Sequence, residues 1–449
     1  MARTKIIALD DDPTGSQTVH SCLLLTRWDP ATLREALEDS APLFFVLTNT
    51  RGMDAVRAAA ITREVCRNLR QALDEFAEAG NPVNPLLVSR SDSTLRGHYP
   101  VETDIIAEEL GPFDAHFLVP AFFEGGRITR DAVHYLMVDG EPVPVHRTEF
   151  AKDSVFGFTH SYLPDYVEEK TDGRISAQEV ERFLLDDVRR GCRVRLSSLK
   201  GNTCGCVDGE AQSDLDSFAD QVLNATADGK RFLFRSAASL LKSLAKLSPQ
   251  PVPAEEMFRF VRNGRPGAVL VGSHVRKATL QLQRLLDEAG TVGIEADVDA
   301  IDSDREALLR DILSRATAIH KRGETPIIYT SRTEKVFDSE SKRLAFGERV
   351  SDFLTDVVRG LPPTLGYLIS KGGITSNDVL NSGLELRTSR VLGQVLPGCS
   401  VVRCPADHDR FPGLPVVIFP GNVGDDNALA RGYRRMADVP VVEERAGTA

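Results

Sequence analysis

Short apolar runs that end in polar or glycine-rich turns recur along the first half of the chain. They lie at residues 6–9, 43–47, 86–88, 116–119 and 232–234. Residues 54–79 have apolar positions at intervals of three and four residues, which is typical of an amphipathic helix. Strands that alternate with such helices predict an α/β fold with a mostly parallel sheet. A segment rich in proline, glycine and charge at 138–175 predicts a long excursion from this sheet.

The same pattern restarts after a proline-rich segment. Residues 247–255, LSPQPVPAE, contain three prolines in nine residues and no periodicity, as interdomain linkers do. Further apolar runs lie within residues 268–273, 325–331, 366–373 and 415–424. We therefore predict two α/β domains with mostly parallel sheets and an active site in the cleft between them. The predicted ranges are 1–247 for the first domain, 248–256 for the linker, 257–437 for the second domain and 438–449 for a flexible tail.

Charge and composition narrow the class of partner. The formal net charge of −11 disfavours nucleic acid or an anionic membrane as the main partner. The apolar runs are shorter than the ~18 residues that a membrane-spanning helix needs, and the first residues lack the pattern of a signal peptide. The seven cysteines are scattered, which favours a reducing compartment. We expect a cytoplasmic protein and leave open a homodimer.

Polar residues that follow the apolar runs of the first half are candidate ligand-binding groups, because ligands of open α/β sheets bind outside the carboxyl ends of the strands. These residues are Asp10, Asp11, Asp12, Asn49, Arg51, Arg90, Asp92, Ser93, Thr94, Arg96 and His98. Arginine binds a carboxylate through two N–H groups, and a carboxylate accepts hydrogen bonds from sugar hydroxyls or acts as a general base. The mixture favours a small polyhydroxylated acid as the ligand. Mutual ion pairing of the arginines and aspartates is the structural alternative.

Three glycine-containing turns follow apolar runs of the second half. They are Gly272-Ser273, the segment SKGGITSND at 370–378 and the segment PGNVGDD at 420–426. Glycine lets the backbone approach a ligand closely, and free N–H groups at the start of a helix favour phosphate. Lys371 can neutralise charge, and Thr375 can bind a phosphate oxygen. Three such turns in one domain predict a nucleotide or phosphate crevice, although the chain has no GxxxxGK[ST] motif.

An alternative interpretation starts from the first aspartates. Asp10-x-Asp12-x-Thr14 after a strand also fits the nucleophile motif of the haloacid dehalogenase phosphatases. Asp10 would then attack phosphate, Asp12 would be the acid/base, and Asp425 would belong to an acidic motif that binds Mg²⁺. This acidic motif lies more than 400 residues from the first motif, and the segments SDSTLRGH and SKGGITSND are left without a role.

Short motifs along nearly the whole chain resemble those of the four-carbon acid sugar kinases. The Asp-Asp-x-Thr-Gly turn of this family is matched at 11–15, and its Asp-Ser-Thr-Leu-Arg-Gly string is intact at 92–97. Its later motifs are matched by Gly-Ser at 272–273, Gly-Gly-x-Thr at 372–375 and Gly-Asn-x-Gly at 421–424. Typical members have Phe where this chain has Pro13, and often an acidic residue where it has Ile374. These departures indicate a divergent branch.

The resemblance implies an N-terminal domain that binds a tetronate-type sugar acid and a C-terminal domain that binds ATP. The implied reaction is ATP-dependent phosphorylation of the sugar acid at its terminal hydroxyl, in sugar-acid catabolism. The residues that carry over as ATP contacts are Ser273, Gly372, Gly373, Thr375 and Gly421. We add their neighbours to the predicted nucleotide site, namely Lys371, Ile374, Asn422 and Gly424.

Phosphoryl transfer needs alignment, charge neutralisation and a group that takes the hydroxyl proton. We expect Arg96, with Arg51 or Arg90, to hold the substrate carboxylate. The predicted catalytic residues, which orient the attacking hydroxyl and accept its proton, are Asp12, Asp92 and Asp11. Mg²⁺ would bridge the β- and γ-phosphates, held by water, Thr375, Asp378 or Asp425. The opening aspartates are then expected in a solvated cleft and not in the core.

Overall fold

The computed structural model describes residues 3–439 except 274, 333, 334, 336, 339 and 422. The chain divides after Pro249 into two compact units, called here the N-terminal unit and the C-terminal unit. Asn422 and residues 440–449 of the predicted tail lie outside the described residues, as does the side chain of Ile374. The predicted position of the active site between two domains stays a prediction.

The N-terminal unit is built around a parallel sheet. Its strands are β1 (Arg3–Asp10), β2 (Leu23–Leu25), β3 (Leu43–Leu47), β4 (Val83–Arg90), β5 (Ala115–Val119), β6 (Arg127–Arg130), β7 (Val133–Val138), β8 (Glu141–Pro144), β9 (Glu181–Phe183), β10 (Thr203–Val207) and β11 (Phe232–Ser236). The strand order of the main sheet is β2-β3-β1-β4-β11-β5-β10-β9, and each neighbouring pair is parallel. The strands β6-β7-β8 form a separate antiparallel sheet.

Helices connect these strands. They are α1 (Pro30–Glu38), α2 (Ala55–Glu78), α3 (Val101–Leu110), α4 (Leu163–Lys170), α5 (Leu185–Arg190), α6 (Arg193–Ser198), α7 (Gln212–Ala227) and α8 (Ala238–Ala245). The helix predicted over 54–79 is confirmed as α2, whose first turn is capped by the Asp54 carboxylate, a hydrogen-bond acceptor for Arg57 N–H. Its apolar face, which includes Val65 and Leu69, packs on the sheet beside Phe44.

The predicted excursion starts earlier than the sequence indicated. The sequence pattern placed it at 138–175, whereas the small sheet begins at Arg127 and α4 ends at Lys170. The strands β6 and β7 are short and only partly buried, unlike the fully buried strands β3 and β5 of the main sheet. They pair antiparallel, with Arg127 opposite Leu136 and Arg130 opposite Val133.

The C-terminal unit has a mostly parallel sheet with one antiparallel edge. Its strands are β12 (Ala268–Val271), β13 (Thr291–Ala296), β14 (Thr325–Thr330), β15 (Leu368–Lys371), β16 (Thr388–Leu396), β17 (Cys399–Arg403) and β18 (Pro415–Phe419). The order is β13-β14-β12-β15-β18-β17-β16, and β17 runs antiparallel to both of its neighbours. The helices are α9 (Arg276–Leu286), α10 (Val298–Ser303), α11 (Arg305–Lys321), α12 (Glu340–Gly360), α13 (Gly373–Asp378) and α14 (Ala428–Ala437).

The predicted α/β class with mostly parallel sheets is confirmed in both units. Each apolar run named from the sequence lies on a strand of a main sheet. The hairpin β16–β17 was missed, although Pro397 and Gly398 form its turn and Gly398 has a φ of +79°, a value that favours glycine. Among the described residues, no helix combines the length and the hydropathy needed to cross a bilayer.

Candidate functional site

The predicted polar residues of the N-terminal unit are brought together by the sheet. The strands β3, β1, β4 and β11 are neighbours in that order and run parallel, so their carboxyl ends share one edge. Asp10 is in register with Leu47 of β3 and with Arg90 of β4, while Arg90 is in register with Ser236 of β11. The residues that follow these strands therefore form one cluster of acids and arginines.

Asp10 is a core residue, which corrects the expectation of a solvated position. Its side chain is completely buried, and Oδ1 accepts a hydrogen bond from Arg90 Nη1 at 3.1 Å. Oδ2 has no hydrogen-bond partner among the described residues. Burial raises the pKa of this carboxyl to about 7, against the opposing charge of Arg90. The turn at Gly15 closes over it, since a Cβ added at Gly15 would lie 1.9 Å from Asp10 Oδ2.

Asp11 is also buried, and both of its oxygens are engaged by one arginine. Arg51 Nη2 lies 2.5 Å from Asp11 Oδ1, and Arg51 Nε lies 3.2 Å from Asp11 Oδ2. This two-pronged pair fixes the Arg51 guanidinium. Burial raises the pKa of Asp11, while the charge of Arg51 opposes the rise. Its side chain is only 1% exposed, so Asp11 also differs from the expected solvated position.

Asp12 is the most accessible of the three aspartates, with a side chain 21% exposed. Thr14 donates to Asp12 Oδ1 from its N–H at 2.8 Å and from its Oγ1 at 2.5 Å. Arg51 Nη1 lies 3.4 Å from Asp12 Oδ2. Burial disfavours the charged form, but the charges of Arg51 and Arg90 and the Thr14 hydrogen bonds outweigh it, so the pKa of Asp12 lies below its usual value. Asp12 is therefore an ionised carboxylate that a ligand can reach.

The loop after β4 places a further carboxylate, Asp92, in the same cluster. Arg96 Nε donates to Asp92 Oδ2 at 2.7 Å, and the Thr94 hydroxyl donates to the same oxygen. Burial opposes ionisation, but the charges of Arg51 and Arg96 and these hydrogen bonds hold the pKa of Asp92 well below its usual range. Gly97 has a φ of +124°, and a Cβ there would lie 3.1 Å from Asp11 Oδ2, so the loop requires glycine.

Three further predicted residues shape this cluster through the backbone. His98 Nε2 donates to the carbonyl oxygens of Thr50 and Met53, at 3.1 and 3.0 Å, and so supports the 3₁₀ turn (Thr50–Gly52) that carries Arg51. Asn49 begins that turn in the left-handed conformation, with a φ of +53°. The carbonyl of Ser93 accepts a hydrogen bond from His134 Nε2 at 2.7 Å. Direct substrate contact by Asn49, Ser93 and His98 stays a prediction.

A buried ion pair beneath this cluster was missed by the sequence analysis. Arg235 Nη1 donates to Glu102 Oε2 and, at 2.7 Å, to Ser89 Oγ, while Thr50 Oγ1 donates to Glu102 Oε1 at 2.5 Å. Arg235 follows the run at 232–234 and could have been found by its position after a strand. Glu102 lies in the first turn of α3, where an acidic residue is ordinary. No sequence signal marks it.

In the C-terminal unit, the three glycine-containing turns lie side by side. The strands β12, β15 and β18 that lead to them are neighbours in the sheet and run parallel. Gly372 N–H donates to Phe419 O at 2.9 Å, which ties the second turn to the third. A Cβ added at Gly272 would lie 2.4 Å from Thr375 Oγ1, and one added at Gly372 would lie 3.7 Å from Ser273 Cβ. The absence of side chains at Gly272 and Gly372 therefore lets the first two turns pack closely against each other at the ends of these strands.

Lys371 donates hydrogen bonds to the backbone of the third turn, at residues 420–426. Its side chain is buried, and Nζ donates to the carbonyl oxygens of Pro420 and Gly421 at 2.6 and 2.9 Å. Burial lowers the pKa of this ammonium to about 8. The observed contacts of Lys371 are with the protein backbone, so its predicted contact with a nucleotide stays a prediction.

Arg332 and Gln281 order the same turns and were not found from the sequence. Arg332 Nη1 donates to Ser273 O at 2.7 Å, and Arg332 Nε donates to Thr330 O at 2.8 Å. Gln281 Nε2 donates to Val423 O at 3.1 Å and to Asp425 O at 2.8 Å, on either side of Gly424. Arg332 shares with the predicted residues a position just after a strand, β14, which is the signal that could have identified it.

The two predicted metal ligands each have protein partners. Asp378 Oδ1 accepts from Asn377 Nδ2 at 3.1 Å, its Oδ2 accepts from the Ser351 hydroxyl, and burial raises its pKa. Asp425 pairs with Arg431 at 2.9 Å, and this contact lowers its pKa. Within the described part of the chain, no group of three or more His, Cys, Asp or Glu side chains is arranged to hold a metal ion. Mg²⁺ bound to nucleotide phosphates usually takes only one or two carboxylates and several waters, so its binding by Asp378 or Asp425 stays a prediction.

Comparison with protein families separates the chain into the same two regions. Residues 6–244 match the family model of a sugar-binding N-terminal domain, and residues 268–429 match that of a nucleotide-binding C-terminal domain. The first range contains the acid and arginine cluster. The second contains the three glycine-containing turns.

Individual relatives are similar over nearly their full length. The D-erythronate kinase of Heliobacterium modesticaldum is 27% identical over 458 residues, covering 95% of both chains. A solved structure from Salmonella typhimurium LT2 superposes with a TM-score of 0.71 at 17% identity, covering 97% of this chain and 100% of that one. A Haemophilus influenzae protein gives a TM-score of 0.65 at 16% identity, covering 96% and 100%. At these identities the two structures show a shared fold alone.

Proposed function

The chain belongs to the four-carbon acid sugar kinase family, and we propose that it is an ATP-dependent kinase that phosphorylates a four-carbon sugar acid at its terminal hydroxyl. It would act in sugar-acid catabolism, as a phosphotransferase with an alcohol group as acceptor. The observation that carries the proposal is the ionised, accessible Asp12 within an arginine-rich cluster. The name of the Heliobacterium relative supports the substrate class. A cytoplasmic location and a homodimer stay predictions.

Asp12 is the best candidate to orient the attacking hydroxyl and accept its proton. Phosphoryl transfer depends mainly on positioning and charge stabilisation, with one group that takes the proton. Asp11 has both oxygens engaged by Arg51, and Asp92 Oδ2 is engaged by Thr94 and Arg96. Among the described residues, Asp12 Oδ2 has only the 3.4 Å contact with Arg51, and the Asp12 side chain is 21% exposed, against 13% for Asp92 and 1% for Asp11. We therefore assign the proton-accepting role to Asp12 and supporting roles to Asp11 and Asp92.

The glycine-containing turns are the proposed nucleotide site. Backbone N–H groups of these turns other than that of Gly372, and the hydroxyls of Ser273 and Thr375, can offer donors to phosphate oxygens. Lys371 and Arg332 hold the backbone of these turns in place. Preorganised donors of this kind cost little reorganisation when charge develops on a transferring phosphoryl group.

The phosphatase interpretation is not supported by the geometry. A nucleophilic Asp10 would have to reach a phosphorus atom, but its carboxylate is completely buried, paired with Arg90 and covered by the turn at Gly15. Asp425, assigned to the acidic motif in that interpretation, pairs with Arg431.

The test is a coupled assay of ADP release with Mg·ATP and a panel of four-carbon sugar acids, including 3-oxo and branched members. A parallel reaction contains a generic phosphatase substrate and no ATP. ADP release that depends on one acid supports the proposal and identifies the substrate. Release of phosphate without ATP, or ADP release indifferent to every acid, contradicts it.

A further inference from the structure

The arginines of the acid cluster are already neutralised by carboxylates of the protein. The pairs are Arg51 with Asp11 and Asp12, Arg90 with Asp10 and Asp11, Arg96 with Asp92 and Asp153, and Arg235 with Glu102. A sugar acid brings a further negative charge to this cluster. To bind one of these arginines, its carboxylate would have to compete with a protein carboxylate that is already in place, and a buried carboxylate that loses its partner is costly.

Arg127 differs from these four arginines. It lies at the first position of β6 and is half-buried. Among the described residues, no carboxylate oxygen lies within the 4.0 Å of an ion pair with Arg127, and its buried Nε has no hydrogen-bond partner. Its Nη1 donates to the carbonyl of Gly125. A guanidinium that is partly removed from water and retains an unpartnered donor favours an anionic ligand.

The position of Arg127 is set by the surrounding backbone. Arg127 N–H donates to Phe122 O at 2.8 Å, and Phe122 N–H donates to Arg127 O at 2.9 Å. A Cβ added at Gly125 would lie 2.3 Å from Arg127 Nη1, so the space taken by the guanidinium exists because residue 125 is glycine. The side chain is therefore held on a paired strand next to a turn that accommodates it.

Arg127 also lies beside the proposed catalytic loop. His134 of β7 accepts from Thr129 Oγ1 of β6 at 3.0 Å and donates to Ser93 O at 2.7 Å, which ties the small sheet to the residue after Asp92. Burial lowers the pKa of Arg127, and the charge of Asp92 acts in the opposite direction. A guanidinium nevertheless keeps its proton at neutral pH.

Building on the proposed function, we propose that Arg127 binds the carboxylate of the sugar acid and thereby selects acids over uncharged sugar alcohols. A guanidinium can present two parallel N–H donors, which match the two oxygens of a carboxylate. The excursion of the N-terminal unit then supplies the specificity residue, while the cluster at the strand ends supplies the catalytic residue.

The experiment compares Arg127→Gln and Arg127→Lys with the control Arg130→Gln. Arg130 lies on the same strand but pairs at the surface with Glu210. Rates are measured with the best acid of the panel and with the matching tetritol, in which CH₂OH replaces the carboxylate. We expect Arg127→Gln to raise the KM for the acid about 10- to 100-fold and to leave the KM for ATP and the reaction of the tetritol unchanged. Arg127→Lys should be intermediate, and Arg130→Gln should match the wild type.

An unchanged preference for acid over tetritol in Arg127→Gln would overturn the proposal. Thermal unfolding and the KM for ATP show whether each variant is folded, and Arg127→Lys serves if the glutamine variant is not. If the wild type phosphorylates no acid, the proposed function fails, and calorimetric titration of the panel without ATP tests Arg127 separately. Weaker binding of an acid to Arg127→Gln would then support its role, whereas equal binding, or binding to neither protein, would overturn it.

Discussion

The acid cluster of the N-terminal unit and the glycine-containing turns of the C-terminal unit both lie at the carboxyl ends of parallel strands. They differ in composition, because the cluster consists of charged side chains and the turns consist largely of backbone and small residues. The cluster contains several ion pairs, such as those of Arg51 with Asp11 and Asp12. The turns are defined by side chains that are missing, as at Gly272 and Gly372. Charge pairs can orient one small ligand, whereas closely packed turns can present backbone N–H groups to a phosphate group. We therefore expect a methyl group added at a glycine to lower the stability of the protein at the acid cluster and to weaken nucleotide binding at the turns.

The largest expected effect comes from Asp12→Asn. The amide keeps the shape of the side chain but cannot take a proton, so kcat should fall by about 10²- to 10⁴-fold. The KM for ATP and the unfolding temperature should change little. Steady-state kinetics measure this, with Asp186→Asn, an exposed residue paired with Arg190, as the control. A kcat within twofold of the wild type would remove Asp12 from the mechanism.

The second prediction concerns the pH dependence of stability. The pKa of Asp10 is about 7 in the folded protein, and the ordinary aspartate value of 3.8 applies to the unfolded chain. Between these values the folded state retains a proton that the unfolded state has lost, so stability falls as pH rises from about 4 to 7, by roughly 4 kcal/mol at most. Asp10→Asn removes this titration.

Urea unfolding of the wild type and Asp10→Asn at pH 5 and pH 8 measures the effect. The variant should gain stability relative to the wild type as pH rises. Parallel behaviour of the two proteins would show that Asp10 does not titrate in this range.

The third prediction concerns Gly15, the glycine that lies against the acid cluster. Gly15→Ala places a methyl group against the buried Asp10 carboxylate, with Cβ 1.9 Å from Oδ2 before relaxation. Such overpacking should lower the free energy of unfolding by about 1–3 kcal/mol. Chemical denaturation measures it. An unchanged free energy would mean that the turn over Asp10 yields easily, contrary to a crowded cluster.

The smallest expected effect is that of Gly421→Ala. A Cβ at this position meets no atom of the described residues within 4 Å, so the free energy of unfolding should change by no more than about 0.5 kcal/mol. The methyl group would occupy space proposed for the nucleotide, and the KM for ATP should rise about tenfold. The KM for the acid serves as the internal control. A rise in the KM for the acid alone would reverse the assignment of the two sites.

The sequence predicted the positions of strands and helices well, but it predicted the burial of individual polar side chains poorly. Apolar runs and helical spacing predicted β1, β3 and α2, because each is a local pattern of burial. The same pattern could not show that Asp10 is sealed while Asp12, two residues later, is accessible. That difference depends on the fold of the turn at Gly15 over the strand end.

The sequence predicted candidate residues at positions that directly follow a strand. Asp12, Asp92 and Ser273 are of this kind. Glu102 was not found, because it lies on α3 and only the packing of this helix brings it to Arg235. Arg127 was not found, because it lies on the small antiparallel sheet, which His134 ties to Ser93. Lys371 was identified, but the carbonyl partners of its ammonium depend on contacts 49 and 50 residues away in sequence.

Transfer of phosphate to the sugar acid, with Asp12 as the proton acceptor, is tested by ³¹P NMR of a reaction that contains the full chain, Mg·ATP and the best sugar acid, with Asp12→Asn in a parallel tube. We expect one phosphomonoester of the sugar acid for each ADP formed by the wild type, and almost none with the variant. Formation of ADP with inorganic phosphate and no phosphorylated acid would contradict the proposed kinase activity.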